Sequence, residues 1–338
     1  MAFIPSEKVL PDFFIYASSL FDFSLFVNPG TVPSVNQEQV GNIFIPSPDI
    51  NIQKEIVDFL DSKIAEIDAL IALQEKMITE LKSYKQSVIT EAVTRGVPAN
   101  IKTSHRDAEA QSVPVKPSAH PRSREKIKMK DSGIPWLGSI PAHWEVRMIK
   151  RIFRIFSGTT PKSENEIYWN GEIPWITPAD YKTDDKYVSC GRKSLTNEGL
   201  ASCGLTMIPQ GSIIFSKRAP IGSVAITKNE LCTNQGCLSC VSQENLNTDY
   251  FYFAMSVFTE QFELLGSGTT FKEISLSDFS CFPLPFPPIE EQNEITDYLN
   301  AKTLEIDSLI SLKQQKISTL QNYKKSVIFE YVTGKNEV

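Results

Sequence analysis

The chain contains no run near the ~18 consecutive apolar residues that a membrane span requires. It opens on MAFIPSEKVLPDFFIYASS, with no basic segment ahead of an apolar one. Neither a membrane span nor a secretory leader is expected, and a cytoplasmic location is the default. Positive charge is not in excess: 34 Lys and Arg against 40 Asp and Glu leave a net charge of −6. Bulk attraction to nucleic acid is thereby excluded, so any such contact must come from local placement of basic residues.

Histidine is scarce, at positions 105, 120 and 143 only, and no cysteine precedes Cys190. The six cysteines (190, 203, 232, 237, 240, 281) have no secretion signal and are expected as free thiols. Cys232, Cys237 and Cys240 are close enough to raise a metal site, but zinc needs four good ligands and the histidines are distant. The stretch CTNQGCLSCVS also alternates like a β-strand, so buried or incidental thiols are the preferred reading. A G-x-x-x-x-G-K-S/T phosphate loop is absent, as is the Asn/Asp-Pro-Pro-Tyr/Phe loop of amino methyltransferases. Pro48-Asp49 with the distant Glu80-Leu81-Lys82 sketches a nuclease motif, but Glu80 and Lys82 fall inside an amphipathic helix, and coincidence is preferred. No catalytic residue, metal ligand or cofactor is assigned.

What the chain does have is length and a repeat. Its 338 residues, 41% hydrophobic and 22% charged, suit an ordinary globular protein of two or three domains. Residues 53–94 align without a gap to residues 292–333, about half the positions being identical. Each copy reads as one long helix. Leu60, Ile64, Ile67, Ile71, Ile78, Leu81 and Val88 recur at spacings of four and three, and Leu299, Ile306, Ile310, Ile317, Leu320 and Val327 repeat the seam. Gln74 and Lys313 interrupt it at the same place. Prolines stand before each helix (Pro48; Pro287 and Pro288), and Gly96 and Gly334 mark the ends. Two such helices most simply pack antiparallel, as a coiled coil. Leu60, Ile67, Ile71, Ile78, Leu81 and Tyr84, with Leu299, Ile306, Ile310, Ile317, Leu320 and Tyr323, are the candidates for the helix pair or a partner interface.

The similarity extends backward: LPDFFIYASSLF (10–21) matches NTDYFYFAMSVF (247–258), and GNIFIPSPDINIQ (41–53) matches SCFPLPFPPIEEQ (280–292). The expected organisation is α+β. Residues 1–49 are the C-terminal remnant of a first globular domain, 50–96 the first helix and 97–130 a basic, Pro-containing linker. Residues 131–288 form a complete mixed-sheet domain, and 289–335 the second helix. GSIIFSKRAPIGSVAIT (211–227) reads as a hairpin carrying Lys217 and Arg218.

Arg, Asn and Gln side chains read base edges, while Lys and Thr more often hold phosphates. Thr160, Lys162, Lys217, Arg218, Asn234, Gln235, Thr270 and Lys272 lie in polar or glycine-containing turns and are the DNA-binding candidates. Singly, each reads better as an ordinary turn residue. Trp169 and Trp175 read as packing rather than stacking platforms.

The segments MKDSGIPWLGSIPAHWEV, SGTTPKSENEIYWNGEIPWIT, SKRAPIGSVAIT, TNQGC, GSGTTFKEISLSDFSCFPLPFPPIEEQ and EIDSLISLKQQKISTLQNYKKSVIFEYVTG resemble the specificity subunit of type I restriction-modification enzymes. The resemblance covers almost the whole chain. It implies two target-recognition domains, each followed by a long helix, the helices acting as a ruler between two half-sites on double-stranded DNA. It further implies that the chain is not an enzyme. Two methylation subunits would dock on the repeats, translocase-nuclease subunits would join them, and adenine methylation and cleavage would belong to those partners. The departure is that only the second recognition domain looks complete. A non-functional subunit, a split subunit completed by a complementary chain, and a second copy of the chain supplying the missing reader all stay open. So does a purely structural coiled-coil interaction protein.

Overall fold

The computed structural model describes residues 7–22, 27–28, 34–35, 41, 43–98, 128–181, 186–218, 220–268 and 272–338. Most of the expected linker (99–127) and Thr270 lie outside the described residues. In chain order come α1 (Pro11–Ser19), β1 (Val27–Asn28), β2 (Ser34–Val35), α2 (Ile50–Arg95), β3 (Met129–Asp131), β4 (Ser139–Pro141), β5 (Glu145–Met148) and α3 (Ile149–Ile152). Then follow β6 (Phe153–Ser157), β7 (Trp169–Ile176), β8 (Tyr187–Val188), β9 (Lys193–Leu195), α4 (Asn197–Ser202), β10 (Ile213–Lys217) and β11 (Ile221–Thr227). The chain closes with β12 (Cys232–Thr233), β13 (Cys237–Ser242), α5 (Thr248–Val257), α6 (Thr259–Leu265), α7 (Leu276–Cys281), β14 (Pro283–Phe286) and α8 (Ile289–Val332). The architecture is α+β with two long helices, and it divides into two compact units: Met1–Ser83 with Glu305–Val338, and Tyr84–Leu304.

In the first unit the start of α2 packs against the end of α8. Ile56, Val57 and Leu60 share a core with Val327, Ile328 and Val332, and Phe13 and Ala17 of α1 fill it. Lys324 Nζ meets Asp68 Oδ1 at 2.7 Å, so the two helices run antiparallel here. Within the expected seam Leu60, Ile67, Ile306 and Ile310 are buried, while Ile71, Ile78, Leu81, Ile317 and Leu320 are half-buried. Gln74 is buried too, its Oε1 without a hydrogen-bond partner among the described residues. A buried polar group left unsatisfied costs about 1–3 kcal/mol, a cost that polar seam positions repay in register.

Tyr84 and Tyr323 depart from the seam and are half-exposed. Each stands one residue before the seam position, and one residue turns a helix by ~100°, which carries the ring off the buried stripe.

The second unit is built on a five-stranded sheet ordered β6-β13-β10-β11-β8. Its β10–β11 hairpin pairs Ile213 with Ile226, as the pattern of 211–227 predicts. Helices α5, α6 and α7 cover one face, with Phe215 packed at a tilt between Phe262 (4.7 Å) and Phe279 (4.6 Å). Each such buried ring contributes ~2–3 kcal/mol from lost water contact. A three-stranded sheet ordered β12-β7-β9 stands beside it. CTNQGCLSCVS is therefore not one strand. Its first two residues join β7 and its last six join β10, because the turn 234–236 passes the chain from one sheet to the other.

One buried glutamine at the start of each long helix bonds alike in both copies. Gln53 accepts from Leu10 N at 2.9 Å and donates to Pro48 O at 2.7 Å and Lys8 O at 2.9 Å. Gln292 accepts from Asn247 N at 2.9 Å and donates to Pro287 O at 2.9 Å. In each case the amide ties the end of a short helix (α1 or α5) to the prolyl segment that opens the long one. Gly96 (φ 85°) and Gly334 (φ 68°) close the long helices in the left-handed conformation that glycine adopts at least cost.

Candidate nucleic-acid interface

Four loops meet at one end of the five-stranded sheet. The loop after β6 carries Thr160, the turn before β13 carries Asn234 and Gln235, and the end of β10 carries Lys217 and Arg218. The segment Lys272-Glu273 crosses in front, Ile274 N donating to Lys217 O at 3.0 Å. Pairing of Ser157 with Leu238, and of Ser216 with Cys237, brings these strand ends level.

The contact between the first two loops depends on a glycine. A Cβ on Gly158 would fall 2.1 Å from Asn234 O and 2.2 Å from Thr233 O. Gly158 N donates to Cys237 O at 3.3 Å, Thr159 N to Thr233 O at 3.0 Å, and the Thr160 hydroxyl to Gln235 Oε1. The tryptophans anchor the same loop by their ring nitrogens: Trp175 Nε1 donates to Thr159 O at 3.1 Å and Trp169 Nε1 to Lys162 O at 3.3 Å. Their rings meet edge to face at 5.1 Å.

Several candidate groups are already engaged. Asn234 Oδ1 accepts from Gly236 N at 2.9 Å, which makes this side chain the former of its own turn. Gln235 is exposed and shares its oxygen with Thr160. Glu273 holds Lys217 Nζ at 2.7 Å and Arg218 Nη1 at 3.3 Å. The hydrogen bond from Lys217 keeps the Glu273 carboxyl below the usual carboxylate range, against a modest opposing effect of burial. Lys162 and Lys272 are exposed. The candidates Thr160, Lys217, Arg218, Asn234, Gln235 and Lys272 thus come together at one sheet end, with Lys162 on the loop that leads away towards β7.

Sequence reasoning did not single out Glu273, Asp180 or Arg192. The Asp180 side chain is buried and accepts from Thr177 N (2.8 Å), Thr177 Oγ1 (2.6 Å), Arg192 N (3.1 Å) and Arg192 Nε (3.0 Å). Burial would raise its pKa, but these hydrogen bonds outweigh it and hold the carboxyl below its ordinary value. Thr177 followed three residues on by Asp180 was legible as a capping pair; the pairing with Arg192 crosses a loop and was not.

Cys240 lies in the core cluster over α5–α7, Cys237 in a second cluster with Tyr181, and Cys232 in a third with Trp175. Burial pushes the thiol of Cys232 up to about 11 and that of Cys237 up to about 12, and it raises Cys240 further. Among the described residues no His, Cys, Asp and Glu groups gather in a metal-binding cluster, and no helix is long and apolar enough to cross a membrane.

A family model described as the type I restriction modification DNA specificity domain matches residues 1–83 and 141–322. The type I restriction enzyme MjaIX specificity subunit of Methanocaldococcus jannaschii is 34% identical over 208 residues, covering 60% of this chain and 47% of that protein. The EcoDI specificity subunit of Escherichia coli is 21% identical over 310 residues, covering 90% of this chain and 65% of that protein. The chain therefore spans about half to two-thirds of the length of these curated relatives. A solved structure from work on complex assembly and conformational transition of the type I R-M system aligns at a TM-score of 0.66. It is 17% identical and covers 95% of this chain and 68% of the other. The crystal structure of the HsdS subunit from Thermoanaerobacter tengcongensis aligns at 0.51 with 16% identity, covering 98% and 72%. At these identities the structural likeness speaks for the fold alone.

Proposed function

Because the chain belongs to the family of type I restriction-modification DNA specificity domains, we propose that it is a non-catalytic subunit that recognises a DNA sequence in the cytoplasm. In this reading it directs adenine methylation and restriction by partner subunits to a bipartite double-stranded site. The second unit supplies a reader through the loops gathered at its sheet end. Lys272 and the Lys217-Arg218 pair, the latter partly offset by Glu273, supply cationic groups there, with Lys162 on the adjoining loop, against an overall negative chain. Such a surface attracts phosphates locally and loses affinity as salt rises.

The observation that carries the assembly role is a duplicated exposed apolar set. Leu70, Leu73 and Tyr84 on α2 are matched by Leu309, Leu312 and Tyr323 on α8, 239 positions on, and every one is between 41% and 59% exposed. Large apolar groups kept exposed at equivalent places on two helices suit two identical partners, here two methylation subunits, with translocase-nuclease subunits joining them. Co-expression with a methylation subunit encoded beside this chain, followed by copurification and methylome sequencing, tests the reading. A methylated motif that disappears without this chain supports it, and the absence of any complex refutes it.

A second reading concerns residues 1–49, which match only the last part of the second recognition region. Ile15 of α1 is 61% exposed, whereas Tyr252, its equivalent in α5, is 7% exposed beneath the complete domain. Phe44 is exposed, while its equivalent Pro283 pairs with Met148 in the β14–β5 ladder. A complementary specificity fragment, rather than a second copy whose own β5 is already paired, fits this uncovered face. Pull-down with a recognition-domain fragment as bait checks it, and an unchanged sedimentation profile of the mixture argues against it.

A further inference from the structure

We propose that Arg192 is a base-reading residue of this chain, its guanidinium held by Asp180 so that it can grip a guanine edge in the DNA major groove. The proposal rests on the DNA-recognition reading above and adds to it a residue, an orientation and a base.

Arg192 lies at the end of the three-stranded sheet that adjoins the gathered loops. It immediately precedes Lys193, which pairs with Trp175 near the close of β7. From there β7 runs into the Thr177–Asp180 turn, and β12, parallel to it, runs into Asn234. Asn234 N donates to Ile176 O at 2.9 Å, and a Cβ on Gly236 would sit 3.0 Å from Pro178 Cγ, so the two turns are packed together. Gly191 lets β9 approach this closely: a Cβ there would lie 2.4 Å from Trp175 O and 3.2 Å from Asp180 Oδ2. Arg192 is thus joined to the turn that presents Asn234 and Gln235 through the Thr177–Asp180 turn.

The side chain of Arg192 is 72% exposed and that of Asp180 is 3% exposed. An ion pair with so exposed a partner adds little stability. Asp180 does not need the guanidinium either, since Thr177 and the Arg192 backbone already supply three donors. What the Nε bond does is fix the plane of the guanidinium. It leaves Nη1 and Nη2 without a hydrogen bond to the described residues, as a free fork. A fork of fixed plane matches the paired O6 and N7 acceptors of guanine; phosphate oxygens can take the same fork but carry no sequence information, so the two contacts differ in whether one base position loses its preference. Asp180 is accordingly a positioning residue and Arg192 the contact.

In vitro selection from a randomised duplex library, run on the 338-residue chain and on R192A, R192K and D180N, tests this. Circular dichroism checks that each variant is folded. The parent chain is expected to enrich a motif with a fixed G·C pair. R192A and R192K should lower the preference for G at that one position by about 5-fold to about 150-fold, with the remaining positions unchanged. D180N should weaken the same position and no other, which a merely structural role would not do. If R192K keeps the motif and only weakens every sequence alike, Arg192 is a phosphate contact; the base assignment is then overturned while DNA recognition stands. If R192A leaves both motif and affinity intact, Arg192 does not touch DNA. If the parent chain enriches nothing, the DNA-recognition reading fails together with this one.

Discussion

Replacing Gln292 by alanine removes one buried amide that serves two main-chain groups. The variant leaves Asn247 N–H without its acceptor and Pro287 C=O without its donor, at a site where Gln292 is fully enclosed. Each buried main-chain group left unpaired costs about 1–3 kcal/mol, so Q292A should destabilise the second unit by about 2–6 kcal/mol. With a urea dependence of about 3 kcal/mol per molar, the unfolding midpoint should fall by roughly 1 M. Tryptophan fluorescence is the natural probe, because Trp136, Trp144, Trp169 and Trp175 all lie within Tyr84–Leu304. Gln292→Glu would bury an unpaired carboxylate against Pro287 O, so near neutral pH it should destabilise at least as much as the alanine variant. A midpoint shift in Q292A below about 0.2 M would show that water replaces the amide freely. The two glutamines would then have no structural reason to bond alike.

Gly158→Ala should separate the loop carrying Thr160 from the turn carrying Asn234, because main-chain oxygens occupy the space its methyl needs. We expect weaker DNA binding by anisotropy with the helical circular dichroism signal kept; unchanged binding would mean that the loops need not touch. Cys190 and Cys281 should react with a thiol reagent in the folded protein, while the buried Cys232, Cys237 and Cys240 react only after unfolding. Fast labelling of all six would contradict the packing described. The Asp180 carboxyl has a lowered folded pKa, so its contribution to stability is present above its unfolded value near 3.8 and is lost as pH falls through the lower folded one. The stability gap between parent and D180N should therefore be full at pH 7 and shrink as pH falls below about 3.8. A gap independent of pH would show that the charge of Asp180 contributes nothing.

The two long helices, their ends and their shared seam were legible in the sequence, since periodicity, flanking prolines and closing glycines are local signals that repeat after 239 positions. The hairpin carrying Lys217 and Arg218 was legible for the same reason, two β-branched runs around a Pro-Ile-Gly turn. The motifs also sufficed to suggest the family that the comparisons identify. Which turns meet was a different matter. That Gly158 touches Thr233 and Asn234, that Glu273 restrains Lys217 and Arg218, and that Asp180 orients Arg192 depend on strand pairing between segments far apart in the chain. CTNQGCLSCVS alternated like one strand because both its halves do become strands; only pairing with different neighbours split it. Exposure was likewise undecided by pattern, for Ile15 and Tyr252 occupy equivalent helix positions and differ only in what covers them. Local propensity determines which segments are helix, strand or turn, whereas a binding surface is a set of turn residues made neighbours by long-range pairing, and that the tertiary structure alone decided.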